Sequence, residues 1–336
     1  MDFEERARAV LPPHVSAYYA APASSEVDLD EGTVEWSAIR FRTRVLRDLA
    51  PLTLSTSVLG TPVRTPVLVA PMAHQVGAHP DGEAAMGRAV AASGSLLGVS
   101  TNTAVPFAAL AHTHAPWWFQ VYVTRDHALT ERLVARAVEH GARALLLTVD
   151  MAAGLPPSVN PRYWPDSPAL GNLTPDEQAA AGPAGFGGDP SINLETINWL
   201  SAMSGLPVIV KGVLRADDAR RCVDAGAAGL VVSTHGGRRG STITSARALP
   251  EIVVAVDSQA EIYADSGIRS GVHVAAAIAM GARAVFVGRP VLWALAAGGE
   301  EGVQQVIKAL TDDLAYVMVQ LGAASIAELT PDLVAR

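Results

Sequence analysis

Short apolar runs recur along the chain, separated by segments of helical character. They are Pro66–Ala70, Ser95–Ser100, Trp117–Val123, Ala144–Val149, Pro207–Lys211, Gly229–Ser233, Glu261–Asp265 and Ala284–Gly288. Most are continuously apolar rather than alternating, the pattern of strands buried on both faces. Gly82–Ser93 is alanine-rich and predicts a helix. In Asp126–His140, Leu129, Leu133, Val134 and Val138 fall near helical spacing, and Gly141 follows as a stop. Ala216–Ala225 ends at Gly226 and Val272–Met280 at Gly281, again with a glycine just past the last turn.

Strand then helix, repeated along the chain, predicts an α/β fold of the TIM (β/α)8 barrel type. A doubly wound open sheet usually carries G-x-G-x-x-G after its first strand. Here the first run leads into Pro71-Met72-Ala73 instead. Residues 1–65 precede the repeat as an N-terminal helical extension, expected to pack over one barrel end. Residues 152–192, rich in proline and glycine, form a long loop after the fourth strand, of the length that lids and binding loops have. One barrel domain over 1–336 is expected.

Composition narrows the function classes. Hydrophobic residues are 49% and charged residues 17%, which excludes global disorder. Lys+Arg 25 against Asp+Glu 33 leaves a net charge of −8, which argues against a nucleic-acid partner. The single cysteine, Cys222, excludes an internal disulfide and a cysteine-cluster metal site, and reads as a core residue of its helix. His112 and His114 lack accompanying carboxylates, and His74 and His79 lie in a loop, so no metal site is expected. The charged start MDFEERARAV is not a secretory signal, and the apolar stretch Val272–Ala297 is broken by Arg283 and Arg289. A soluble, cytoplasmic protein without a membrane partner is expected.

The active site of such a barrel lies at the C-terminal ends of its strands. Read there, the chain offers Met72 and His74, Ser100 and Thr101, Gln120 and Tyr122, Thr148 and Asp150, and Lys211. The sixth end is Ser233-Thr234-His235-Gly236-Gly237-Arg238, the seventh Asp265-Ser266-Gly267-Ile268-Arg269 and the eighth Gly288-Arg289. Lys211 suits a cation beside an electron-rich ring or a Schiff-base amine, or simply a side chain reaching solvent. His235 suits a base on a tight turn, or a core histidine bonded to a carbonyl. Asp150 suits the group that orients His235, or a helix cap. Arg238 suits a carboxylate fork, or a surface charge. The last two ends resemble a barrel phosphate site built from backbone N–H groups and arginine.

The segments VAPMAHQVGAHPDGE, WWFQVYV, LLLTVD, LPVIVKGVL, VVSTHGGR, DSGIRSG and AVFVGRPVLWALA follow one another in the order of a known family. From about Val15 to about Leu310 the chain resembles the FMN-dependent α-hydroxy-acid oxidases and dehydrogenases, the glycolate, lactate and hydroxymandelate oxidase group, with the hydroxymandelate branch most similar. The resemblance implies a TIM barrel with FMN at its mouth. It assigns Met72, Ala73, Ser100, Thr101, Gln120, Thr148, Lys211 and Ser233 to the flavin ring, and Asp265, Gly267, Arg269, Gly288 and Arg289 to the ribityl chain and phosphate. His235 matches the catalytic base and Asp150 its charged neighbour. Tyr18 and Tyr122 match the two active-site tyrosines, and Arg238 a substrate-carboxylate arginine.

The substrate residues are partly rewritten. The family's second carboxylate arginine follows Thr-Val-Asp; here the run is TVDMAAGLPPSVNPR, the matching position is Pro157, and Arg162 stands further on as a substitute. The usual Asn before the histidine is Thr234, the usual Gln-Leu-Asp after the arginine is Arg239-Gly240-Ser241, and Ser266 replaces a glycine. The resemblance implies oxidation of a 2-hydroxy acid, with oxygen or another acceptor, by a homo-oligomer of the tetrameric kind. A masked acid (ester, amide or carrier-bound) and a non-catalytic flavoprotein subunit are the alternatives.

Overall fold

Among the described residues, each apolar run carries a strand, and eight strands close into a parallel barrel. The computed structural model describes residues 2–21, 27–151, 169–181, 189–240 and 242–335. Ahead of the barrel, Thr56–Val58 (β1) and Thr61–Val63 (β2) pair as an antiparallel hairpin. The barrel strands are Val67–Met72 (β3), Leu97–Val99 (β4), Trp117–Val121 (β5), Leu145–Thr148 (β6), Val208–Val213 (β7), Gly229–Val232 (β8), Glu261–Ala264 (β9) and Ala284–Val287 (β10). β10 closes the ring on β3, with Val285 opposite Val67 and Val287 opposite Val69. The helices Gly82–Ser93, His127–Glu139, Ala216–Asp224 and Gly271–Ala279 form where the apolar spacing places them. The final helical stretch, Arg289–Leu321, is interrupted at Gly299.

Side-chain alternation along the strands separates two cores. Val67, Val69, Phe119, Leu145, Leu147, Val210, Val232, Val285 and Val287 pack outward with the helices. Leu68, Ala70, Trp118, Leu146, Ile209, Val231, Tyr263 and Phe286 fill the barrel interior. Both faces are therefore dry, which is why the runs are continuously apolar. The interior series continues by steps of two into polar residues: Trp118 to Gln120, Leu146 to Thr148 and Asp150, Ile209 to Lys211, Val231 to Ser233 and His235, Tyr263 to Asp265. A strand's period of two thus carries the packed core directly into a polar mouth.

The N-terminal extension serves both barrel ends rather than one. The β1–β2 hairpin packs its Val58 and Val63 into the interior core, and Leu59 N donates to Glu261 Oε2, at the start of β9, at 3.1 Å. The helices Phe3–Val10 and Pro13–Ala20 instead pack Phe3, Val15, Tyr18 and Tyr19 against Leu292 and Trp293, beyond the end of β10. The physical reason is that a barrel has two open ends, and apolar side chains at each need cover.

The expected loop after the fourth strand is partly helical. Pro175–Ala181 is a helix whose start is a capping box: Glu177 N donates to Thr174 Oγ1 at 3.2 Å, and Thr174 N to Glu177 Oε2 at 2.9 Å. Glu177 also accepts from Arg132 at 2.8 Å and from Arg136 at 2.8 and 3.1 Å, which docks this helix on His127–Glu139. The Thr-x-x-Glu spacing at 174–177 is the sequence signal for it.

Candidate active site at the barrel mouth

Asp150 and His235 meet across the mouth, with His235 Nδ1 3.0 Å from Asp150 Oδ1. The Asp150 side chain has no solvent exposure and that of His235 has 22%. Burial would raise the Asp150 carboxyl, but the charges of His235, Lys211 and Arg239 outweigh it and hold the group below the usual carboxylate range. A Cβ on Gly212 would lie 2.5 Å from Asp150 Cβ, so β7 passes the carboxylate only with glycine there. His235 sits in the left-handed region (φ +55°), where Ser233 Oγ accepts from its backbone N at 3.0 Å.

Lys211 lies beneath this pair. Its Nζ donates to Ser233 Oγ at 2.7 Å and stands 3.0 Å from Asp265 Oδ2, both side chains almost wholly buried. Burial works against the ammonium, but the Asp265 and Asp150 carboxylates outweigh that and hold it above its ordinary value. On the opposite wall, Gln120 Oε1 accepts from Thr101 N at 3.1 Å and Ser100 Oγ at 3.2 Å. Gln120 Nε2 and Thr148 Oγ1 are buried with no hydrogen-bond partner among the described residues. Buried polar atoms are normally satisfied, so these two mark where a polar ligand belongs.

Arginines ring the other side. Arg289 donates through Nε, Nη1 and Nη2 to the carbonyls of Tyr19, Gly236 and Ala21 at 3.0, 2.6 and 3.1 Å. Burial, with the charges of Arg238 and Arg269, pulls its guanidinium down to about 9. Arg238 lies 4.9 Å over the Tyr18 ring and donates to the Tyr18 carbonyl. Burial, reinforced by the Asp150 charge, pushes the Tyr122 phenol well above its ordinary value. A Cβ on Gly288 would touch Met72 Sδ at 3.5 Å, so the ends of β3 and β10 adjoin, with Ala73 next in the chain. Gly267 (φ +93°) lies under Gly32: a Cβ there would come within 2.5 Å of the Gly32 carbonyl carbon. Pro157 and Arg162 lie outside the described residues.

Three supports escaped the reading of strand ends. Trp36 Nε1 donates to the Ser266 carbonyl at 3.0 Å. Ser37 Oγ stands 2.8 Å from His273 Nε2, while His273 Nδ1 accepts from Arg269 N at 3.2 Å. The helix Val27–Ala38 thereby braces the loop after β9. Among the described residues, no cluster of His, Cys, Asp and Glu could hold a metal, and no helix is long and apolar enough to cross a membrane.

Residues 7–336 match the family model described as FMN-dependent dehydrogenase. The chain is 38% identical to the L-lactate oxidase of Nostoc sp. over 98% of its own length and 95% of that protein. It is 36% identical to human 2-hydroxyacid oxidase 1, over 100% of its length and 95% of that protein. Among solved structures, a tyrosine-to-phenylalanine variant of mandelate oxidase with (S)-mandelic acid superposes with a TM-score of 0.90 at 34% identity, covering 99% of this chain and 96% of that one. The same variant carrying an FMN adduct also gives 0.90 at 34% identity, covering 99% and 98%. A family match over nearly the whole chain, on a barrel whose mouth gathers these residues, makes the protein a member of the FMN-dependent dehydrogenase family, an FMN enzyme of the 2-hydroxy-acid oxidase group.

Proposed function

We propose that the chain oxidises a 2-hydroxy acid with an aromatic or extended body, of the hydroxymandelate kind, with His235 as the base. The 3.0 Å contact between Asp150 and His235 carries this reading. An ionised carboxylate can only accept, so Nδ1–H donates to Asp150 and Nε2 keeps its lone pair. Nε2 takes a proton from the substrate, and Asp150 offsets the imidazolium charge that results. Tyr122 stays protonated beside them as a donor, and Tyr18 and Arg238 receive the substrate from the other side.

FMN, when bound, accepts the two electrons. The residues fit it: Gln120 Nε2 and Thr148 Oγ1, buried and without partners among the described residues, suit the polar edge of its ring. Ser100 and Thr101 adjoin Gln120, Met72 and Ala73 lie at the end of β3, and Ser233 stands beside Lys211. The Lys211 ammonium supplies the positive charge that an electron-rich ring needs. Arg289, part-buried and with no carboxylate within 4.0 Å among the described residues, suits a phosphate together with Arg269 and the backbone of Gly267 and Gly288, while the Asp265 carboxylate suits the hydroxyls of the ribityl chain. Oxygen or another small acceptor takes the electrons onward.

The test is His235→Asn. FMN should remain bound, while anaerobic bleaching of the flavin by mandelate should slow by ~10²–10⁴-fold. Bleaching near the wild-type rate would show that His235 is not the base. A second reading, a masked acid, rests on proline at position 157. It requires mandelate methyl ester to be turned over as well as mandelate.

A further inference from the structure

Ser266 stands in the loop after β9, where the family pattern has glycine. It is part-buried and keeps a left-handed backbone (φ +67°) that glycine would hold without strain. The hydroxyl that comes with it is fully engaged. Thr234 N and Gly236 N lie 3.2 and 2.9 Å from Ser266 Oγ, and Asp265 Oδ1 lies 2.7 Å from it. The two amides can only donate, so they take both lone pairs of the oxygen. The one hydroxyl hydrogen is thereby committed to the Asp265 carboxylate. Trp36 Nε1 donates to the Ser266 carbonyl at 3.0 Å, which fixes the backbone that aims this hydroxyl.

Asp265 is also the counter-ion of Lys211: its Oδ2 is 3.0 Å from Nζ, and both side chains are almost wholly buried. A hydroxyl dipole with its positive end on a carboxylate offsets part of the negative charge there, and in a buried site that offset is felt by the neighbouring cation. We infer that Ser266 tunes the flavin of this enzyme: by occupying Asp265 it leaves more of the Lys211 charge for the reduced ring, and so raises the ring's affinity for electrons. Ser266 acts through Asp265 and Lys211 and is a positioning residue. Glycine at 266 has no such donor, so the effect belongs to this chain's departure from the family pattern. The inference rests on the proposed placing of Lys211 beside the flavin, and goes beyond it by naming what sets the strength of that charge.

The experiment titrates the FMN-loaded protein with sulfite and, independently, measures its two-electron midpoint potential. Sulfite donates its sulfur lone pair to the flavin ring; one S–N bond forms, and the π pair it displaces stays on the ring as negative charge. Sulfite affinity therefore reports how well the protein stabilises that charge. Ser266→Gly and Ser266→Ala both lose the hydroxyl, but the first relieves the backbone and the second keeps it strained. Both should weaken sulfite binding by about 3- to 10-fold, and to the same extent, with the midpoint potential lower by about 15–30 mV. A merely structural role predicts a loss that follows stability, large in Ser266→Ala and slight in Ser266→Gly. That pattern overturns the inference, as do an unchanged sulfite affinity and potential in both variants. Lys211→Met, measured with added FMN, tests the reading beneath. Weaker sulfite binding in Lys211→Met beside unchanged Ser266 variants removes the inference alone. Unchanged sulfite binding in Lys211→Met removes the placing of Lys211 and the inference with it.

Discussion

Ser266 Oγ accepts a hydrogen bond from the Gly236 amide at 2.9 Å, joining the loop after β9 to the turn that carries His235. The same oxygen accepts from Thr234 N at 3.2 Å and donates to Asp265 Oδ1 at 2.7 Å. Ser266 holds a left-handed backbone (φ +67°), a conformation that favours glycine. Its hydroxyl offsets that cost by linking the partner of Lys211 to the proposed base. Ser266→Ala keeps the backbone cost and loses the bonds, so it should destabilise by about 1–3 kcal/mol. Ser266→Gly relieves the backbone and should be milder in stability, yet both variants should slow flavin reduction alike. Thermal melts with single-turnover reduction by mandelate check this, and an unaltered rate in both variants would remove Ser266 from the support of His235.

Glu83 gives a pH prediction of unusual sign for a carboxyl. It is fully buried in the first turn of Gly82–Ser93, and Oε1 accepts from Gln75 N at 3.3 Å. Burial pushes its carboxyl up to about 7. An unfolded glutamate titrates at about 4.3, so between there and about 7 the folded state binds more protons than the unfolded one. Stability from this group is complete below the unfolded value and falls as pH rises through that window. Glu83→Gln, neutral at every pH, should therefore raise Tm at pH 8 and leave it nearly unchanged at pH 4. Equal effects at both would show that burial does not control this carboxyl.

Glu177 behaves in the opposite sense. The Arg136 hydrogen bond, with those from Thr174 and Arg132, outweighs burial and holds its carboxyl down to about 2. Its contribution is complete above the unfolded value and is lost as pH falls towards about 2. Arg132 is half exposed, so solvent screens part of the interaction. Glu177→Gln should loosen Pro175–Ala181 by about 1–2 kcal/mol and leave the barrel intact. Amide hydrogen exchange should speed up across 172–181 and not in β5 or β6.

The barrel was legible because its strands obey local rules. A run such as 144–148 is buried on both faces, so its composition alone marks it, and a period of two carries Leu146 to Thr148 and then Asp150. The strand ends that hold Lys211, His235 and Asp265 could be read for the same reason. The hairpin at Thr56–Val63 was not legible, since its role is to cover an open end that exists only once the barrel closes.

The amino-acid sequence by itself determined the alternation of strand and helix, the polar groups at each strand end, and the family to which their order belongs. Tertiary structure alone decided which of these groups touch. Asp150 reaches His235 across 85 residues of chain, Trp36 reaches Ser266 across 230, and Arg239 reaches the Asp150 carbonyl across 89. No local periodicity encodes such separations. They follow from closing the barrel, which brings strand ends distant in sequence to one mouth, where a buried carboxylate and a histidine acquire their meaning from each other.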